Sequence, residues 1–152
     1  MLLKPFTYLS TLFLVLISTC TYAQDSKVYS LNAEWRMHVG DVADAKNANF
    51  NDATWKVVTL PYAWNEDEAF EKAIHDHSTD VVWYRKNLVL PKNVPLDKIF
   101  LEFEGVRHGA EFYVNGQFVG LHENGVMAAG LDISNALNKN GDNTIAVRTD
   151  NS

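Results

Sequence analysis

The stretch from residue 99 to residue 125 constrains the fold of this chain most, because it combines short strand patterns with glycine-marked turns. Charged and apolar side chains alternate over residues 99–104, as they do in a strand with one buried face. Aromatic and β-branched residues at positions 111–114 favour a second strand. The pair Asn115-Gly116 tolerates the positive φ that a tight type I′ turn requires, so we expect residues 117–120 to return as a third strand. The segment predicts antiparallel sheet.

Similar patterns predict further strands along the chain, at residues 28–39, 55–61, 81–90, 131–133 and 144–149. Pro61 and Pro91 end two of these strands because proline cannot donate to a central ladder. Gly105 and Gly109 bracket a break between the first two strands of the opening segment. One helical turn is indicated, at residues 134–137. Short strands separated by turn signals predict an all-β fold, and specifically a β-sandwich.

The first 23 residues have the pattern of a targeting segment. Lys4 supplies a positive start, and a mostly apolar run over residues 6–20 is too short for a comfortable membrane span. Small residues at positions 21 and 23 offer a cleavage site. We therefore expect a signal peptide at residues 1–23, with residues 24–152 exported to the periplasm or the extracellular space and no membrane span after cleavage.

Two alternatives to cleavage stay open. An uncleaved N-terminal anchor is one, although a positive stop-transfer flank is missing. Lipid attachment at Cys20 is the other, and Thr19 disfavours it because such sites prefer a smaller residue there. Cys20 is the only cysteine of the chain, so a cleaved protein has no disulfide despite its export, and a hydrophobic core must hold it together.

The formal net charge of the chain is −6. Affinity for nucleic acid comes mainly from Lys and Arg that neutralise phosphates, so an acidic chain of this kind is not expected to bind nucleic acid. The acidic run after Asn65 favours a solvated loop over a carboxylate site, because clustered like charges repel; it comprises Glu66, Asp67, Glu68 and Glu71. The triplet His75-Asp76-His77 lacks a third histidine or cysteine ligand, so we expect no metal and no cofactor.

Six aromatic and basic side chains are open to a structural or a ligand-binding interpretation. Trp35 and Trp55 lie in strand patterns, which favours packing in the core, whereas Trp64 and Trp83 could pack or stack on a sugar ring. Arg85 and Arg148 could bind a ligand carboxylate, but pairing with nearby Asp or Glu is the simpler expectation. Glu102 and Glu104 are expected on the polar face of a strand.

Six segments, taken in chain order, form a recognisable set: residues 31–36, 50–64, 83–86, 103–120, 125–134 and 141–148. Together they resemble the N-terminal sugar-binding-like domain of glycoside hydrolase family 2, which contains β-galactosidases, β-glucuronidases and β-mannosidases. Residues 58–64, VTLPYAW, are similar to the family's V-x-L-P-H-x-W piece, with Tyr62 in place of a usual histidine. Ala128 and Ala129 stand where relatives often carry a bulky residue. The subtype that the chain most resembles is the secreted bacterial β-galactosidase.

The resemblance implies a jelly-roll, galactose-binding-like β-sandwich of antiparallel strands over residues 24–152, which we expect to be truncated at its C-terminal end. In this family the two catalytic glutamates lie in a later (β/α)₈ barrel. A retaining glycosidase needs two carboxylates about 5–5.5 Å apart, and we assign no catalytic residue to this chain. The implied function is a non-catalytic domain of a β-galactosidase-like enzyme that hydrolyses O-glycosyl bonds. It would scaffold and rim the active site, pack on the barrel and sandwich domains of the parent chain, and help it form a homo-oligomer.

One segment is a candidate for contact with the substrate. Residues 65–80 form a long loop for a compact domain, and such loops are often functional. Some relatives use a loop of this domain to touch the β-galactoside or related carbohydrate in the barrel, so we expect Asp76 or His77 to be a peripheral substrate contact. Two rival functions are a free-standing carbohydrate-binding module and a structural interaction domain of a surface assembly.

Overall fold

The computed structural model describes residues 26–63, 80–92 and 97–151. The chain divides into two compact units, Met1–Leu31 and Asn32–Ser152. In the first unit, the described residues 26–31 carry no regular secondary structure. Several sequence-based expectations fall outside the described residues: the signal peptide with Cys20, the candidates Asp76 and His77, Trp64, and the acidic run at 66–71.

The second unit is built from antiparallel strands, and its described residues contain no helix. The strands are β1 Trp35–Val39, β2 Lys56–Val58, β3 Val81–Leu88, β4 Phe100–Phe103, β5 His108–Val114, β6 Gln117–Gly125, β7 Ala129–Asp132 and β8 Asn143–Asp150. A six-stranded sheet has the order β2-β1-β3-β8-β5-β6, and a two-stranded sheet pairs β4 with β7. The all-β prediction is therefore confirmed.

Apolar side chains line the inner face of the six-stranded sheet. Met37 pairs with Tyr84, Tyr84 with Val147, and Val147 with Phe112, so these four residues lie in one row across the sheet. Phe112 is fully buried, and its ring centroid lies 5.0 Å from that of Phe103 in β4. The two-stranded sheet thus packs on this face, which gives the sandwich its two layers.

A glycine allows the two layers to approach at their edge. A Cβ atom added at Gly120 of β6 would overlap Cδ2 of Leu131 in β7. The absence of a side chain at position 120 therefore makes room for the leucine, which is the usual reason for a glycine where two elements meet closely.

The outer face of the same sheet is covered by the connection between β1 and β2. A second apolar cluster forms there from Ala45 and Trp55 of the connection with Trp83 and Ala146 of the sheet. Phe50 packs against this cluster, with its ring centroid 5.3 Å from that of Trp55. The sheet is therefore buried on both faces at this end, which explains why four successive residues of β3, at positions 82–85, are all buried.

The hairpin at the centre of the sequence analysis is present with the expected turn. Asn115 has φ 53° and Gly116 has φ 82°, as a type I′ turn requires. The Asn115 side chain donates to the carbonyl of Ala136 and to Oδ1 of Asn143, both at 2.8 Å, and accepts from the Thr144 amide at 2.9 Å. Its role is to hold the turn in place.

Several predicted strand bounds differ from the structure. The first strand begins at Trp35 and not at residue 28, since Glu34 adopts φ 59° and breaks the extended backbone. Gly109 lies inside β5, so only Gly105 belongs to the predicted break. Strand β6 continues to Gly125, five residues beyond the predicted end. Residues 134–136 form a turn and not a helix, with the Ala136 amide donating to the Ile133 carbonyl at 3.0 Å.

Candidate functional site

Arg85 of β3 points from the outer face of the sheet into the β1–β2 connection and is almost completely buried. Its Nε donates to Asp52 Oδ2 at 2.8 Å, and its Nη1 donates to the carbonyls of Ala45 and Asn47. The guanidinium also lies over the Phe50 ring, 5.4 Å from its centroid. All of these contacts lie within the domain, so the expectation that Arg85 pairs with an acidic side chain is confirmed.

Arg148 of β8 is the centre of a second ionic cluster on the same face. It pairs with Asp41 at 3.0 Å, with Asp150 at 3.2 Å and with Glu111 at 3.7 Å. The hydrogen bond from Arg148, followed by one from the indole of Trp83, lowers the pKa of Asp41 below its ordinary value. The expectation that Arg148 pairs with acidic side chains is confirmed, and three carboxylates share its charge.

Tyr113 continues this cluster along β5. Its hydroxyl donates to a carboxylate oxygen of Glu111. Burial, and then this hydrogen bond, raise the pKa of Tyr113 to about 12, so the phenol stays protonated at physiological pH. Glu111 is thus held by both Tyr113 and Arg148, which keeps its carboxylate in a defined position.

A groove of about 550 Å³ runs along the outer face beside the Arg148 cluster, where β6 and β8 end and β5 begins. It is lined by His108, Gly109, Ala110, Glu111, Leu121, Glu123, Gly125, Arg148 and Asp150. Leu121 is exposed, while the Arg148 side chain is only 20% exposed and forms part of the floor. The groove combines carboxylates, one guanidinium and an apolar side chain.

This groove could not be predicted from local sequence patterns. Its polar residues come from the β5–β6 hairpin and from β8, which follows later in the chain, and only the strand register brings them together. Gly109 is paired with Asp150, Glu111 with Arg148, and Leu121 with Glu111. The available signal in the sequence is Gly109, which lies inside β5 and not, as predicted, at the end of a break.

The tryptophans within the described residues serve the core. Trp35 and Trp55 are buried, as expected, and Trp83, which the sequence left open, is buried as well. The indole nitrogen of Trp83 donates to Asp41 Oδ1 at 3.0 Å, so its polar atom is satisfied inside the protein. None of these three rings is available to stack on a sugar.

Within residues 26–63, 80–92 and 97–151, no three His, Cys, Asp or Glu side chains come together in a way that could hold a metal ion. No helix there has the length and apolar character needed to span a membrane.

A family model for the sugar binding domain of glycosyl hydrolases family 2 matches residues 24–151. The chain belongs to this family. The match spans nearly the whole chain and agrees with the two-layer antiparallel fold and with the resemblance carried by the six ordered segments.

Relatives and solved structures of family 2 enzymes resemble the chain closely over a small part of their own length. A β-glucuronidase of Formosa agariphila is 32% identical over 136 residues, which is 85% of this chain and 14% of that protein. The β-galactosidase BoGH2A of Bacteroides ovatus is 33% identical over 79% of this chain and 15% of its own length. The crystal structure of a Bacteroides uniformis β-glucuronidase aligns with a TM-score of 0.75 and 32% identity, covering 82% of this chain and 14% of that one. The chain therefore spans about one seventh of the length of these relatives.

Proposed function

We propose that this family 2 sugar-binding domain acts as a non-catalytic part of a β-glycosidase that hydrolyses O-glycosyl bonds. The observation that carries the proposal is the match of residues 24–151 to one domain of enzymes that are about seven times longer. The two ionic clusters support a scaffolding role, because Arg85 and Arg148 hold the β1–β2 connection on the sheet. In the parent protein, the domain would pack on the barrel and sandwich domains and contribute to a homo-oligomer.

We propose a β-galactoside as the substrate of the parent enzyme, on the basis of the resemblance to secreted β-galactosidases. A β-glucuronide is the second candidate, and the named activities of the Formosa agariphila and Bacteroides uniformis proteins favour it. Hydrolysis of 4-nitrophenyl β-D-galactoside and of the matching β-D-glucuronide by the parent protein separates the two. Cleavage of neither compound, with other β-glycosides also untouched, would contradict the glycosidase proposal.

We propose Asp76 and His77 as peripheral substrate contacts in the parent enzyme. Asp80, the described residue next to their loop, accepts a backbone hydrogen bond from Asn151 at 3.1 Å and lies directly before β3. Asp80 therefore lies beside the end of β8, on the side of the sheet where the groove lies. Alanine at position 76 or 77 is expected to raise KM about threefold to tenfold, since a hydrogen bond to substrate is lost. Glu68→Ala is the matched control in the same loop. If Asp76→Ala and His77→Ala both leave KM unchanged, neither residue belongs to the substrate site.

We propose that the protein is exported and cleaved after Ala23, on the strength of the apolar run and the small residues before the cut. Lipid attachment at Cys20 is the alternative. N-terminal sequencing of exported protein should begin at Gln24, whereas a lipid-modified cysteine at the N-terminus would contradict cleavage at that bond.

A further inference from the structure

The groove on the outer face owes part of its depth to a glycine that the backbone does not require. Gly109 lies inside β5, and its φ falls outside the left-handed region that favours glycine. A Cβ atom at this position would meet only the carbonyl oxygens of Asp150 and His122, at 3.8 and 3.9 Å, which is ordinary contact. Glycine inside a strand is destabilising and often marks the close approach of a ligand. Strand β6 has one extra residue opposite this point of β5, since His108 pairs with Gly125 and Ala110 with His122, and such bulges are common next to binding sites.

The residues around Gly109 offer two kinds of contact. Glu111 and Asp150 are carboxylates held in place by Arg148, and Glu123 stands exposed on the neighbouring strand. Leu121 is directly paired with Glu111 and is 54% exposed, so an apolar surface lies beside the carboxylates. Acceptors for hydroxyl groups next to an apolar surface suit a pyranose ring, which has hydroxyls at its rim and C–H groups on its faces.

Charge decides which saccharide fits. Arg148 is the only Lys or Arg among the lining residues, and three carboxylates of the domain already share it. An anionic sugar entering the groove would face Glu111, Glu123 and Asp150 without a free cation to offset them. The volume of about 550 Å³ lies within the range of small-ligand sites.

We propose that the groove around Gly109 is a saccharide-binding site of this domain, selective for neutral sugars over uronic acids. The inference goes beyond the proposed function, because it assigns a site to the described residues of this chain and does not depend on which bond the parent enzyme cleaves.

The test is titration of the ¹⁵N-labelled 152-residue chain, followed by amide NMR shifts. The probes are two matched pairs, methyl β-D-galactoside with its uronate and methyl β-D-glucoside with its uronate, which differ within each pair only at C6. At least one neutral sugar should bind with millimolar affinity and shift the amides of Gly109, Leu121 and Glu123, and its uronate should bind at least about fivefold more weakly. No shift at about 50 mM sugar, shifts elsewhere on the surface, or equal binding of the uronate would each overturn the proposal.

Variants locate the site. Gly109→Leu fills the groove and should weaken binding at least about tenfold, whereas Gly130→Leu in β7, where an added Cβ meets nothing within 4 Å, should leave it unchanged. Glu123→Gln removes an exposed carboxylate. It should weaken the binding of the neutral sugar and reduce the difference in affinity between this sugar and its uronate. Glu102→Gln, at an exposed position of β4, is its control. Unchanged affinity in both groove variants would refute the assignment, and it would do so whether or not the parent protein hydrolyses glycosides.

Discussion

Replacing Arg85 by methionine should destabilise the domain strongly, because methionine keeps most of the buried volume and removes every polar contact. The variant leaves Asp52 without its 2.8 Å partner and removes the guanidinium donor from the carbonyls of Ala45 and Asn47. The Asn47 carbonyl keeps the Phe50 amide as a donor, at 3.2 Å. Breaking a fully buried ion pair costs about 3–5 kcal/mol. The Asp52 side chain is 21% exposed and also lies 3.5 Å from Arg36, so solvent and the second arginine offset part of this cost. We therefore expect a loss of about 3 kcal/mol in the free energy of unfolding.

Urea unfolding followed by tryptophan fluorescence measures this loss, because Trp55 and Trp83 are buried in the cluster that Arg85 supports. Arg85→Lys should cost about 1–2 kcal/mol, since an ammonium keeps the charge but cannot reproduce the planar fork. Arg36→Met is the matched control: its side chain is 37% exposed, and it should cost under about 1 kcal/mol. A loss below about 1 kcal/mol for Arg85→Met, or equal losses for the two arginines, would refute the reasoning.

Two further predictions concern the packing of the layers and the acid stability. Gly120→Ala should lower the melting temperature by a few degrees, at a cost of about 1 kcal/mol, because the new Cβ overlaps Leu131 Cδ2 and forces the leucine side chain to shift. Gly130→Ala should not lower it, and calorimetry compares the two variants. Hydrogen bonds from Lys98, and then from Ser134, lower the pKa of Asp132 from 3.8 to about 2. Because the folded-state pKa lies below the unfolded one, this contribution to stability is present above pH 3.8 and is lost as the pH falls towards 2. Asp132→Asn should therefore reduce the fall in the free energy of unfolding at acid pH, measured by urea unfolding. A fall as steep as that of the unmodified protein would contradict this role of Asp132.

Local patterns predicted the strands well where one residue type decides the backbone. The Asn115-Gly116 turn needs positive φ at both positions, and these two residues provide it. The alternation at residues 99–104 likewise gave β4, with Leu101 buried and Glu102 exposed. The start of β1 could not be predicted in this way, because the apolar residues from Val28 onward continue the pattern past Glu34, whose φ of 59° interrupts the strand.

Features that depend on distant parts of the chain were not accessible from local patterns. Trp83 could have faced solvent or core, and only the cover provided by the β1–β2 connection buries it. The groove needs the register of β5 against both β6 and β8. Gly109 was interpreted as the end of a break because a strand glycine and a turn glycine look alike in sequence, and only the pairing with Asp150 distinguishes them.

The strand order of the six-stranded sheet has a consequence for how the domain forms during synthesis. Strand β8 is the last of the described strands in the chain, yet it lies in the middle of the sheet, between β3 and β5. Until β8 is synthesised, no strand joins the β2-β1-β3 part of the sheet to the β5–β6 hairpin. Each of these two parts then has an unpaired strand edge that can pair with other chains. Such pairings between distant segments form slowly. The ribosome must therefore release nearly the whole described chain before the sheet can close, and the growing chain exposes two unpaired edges until then.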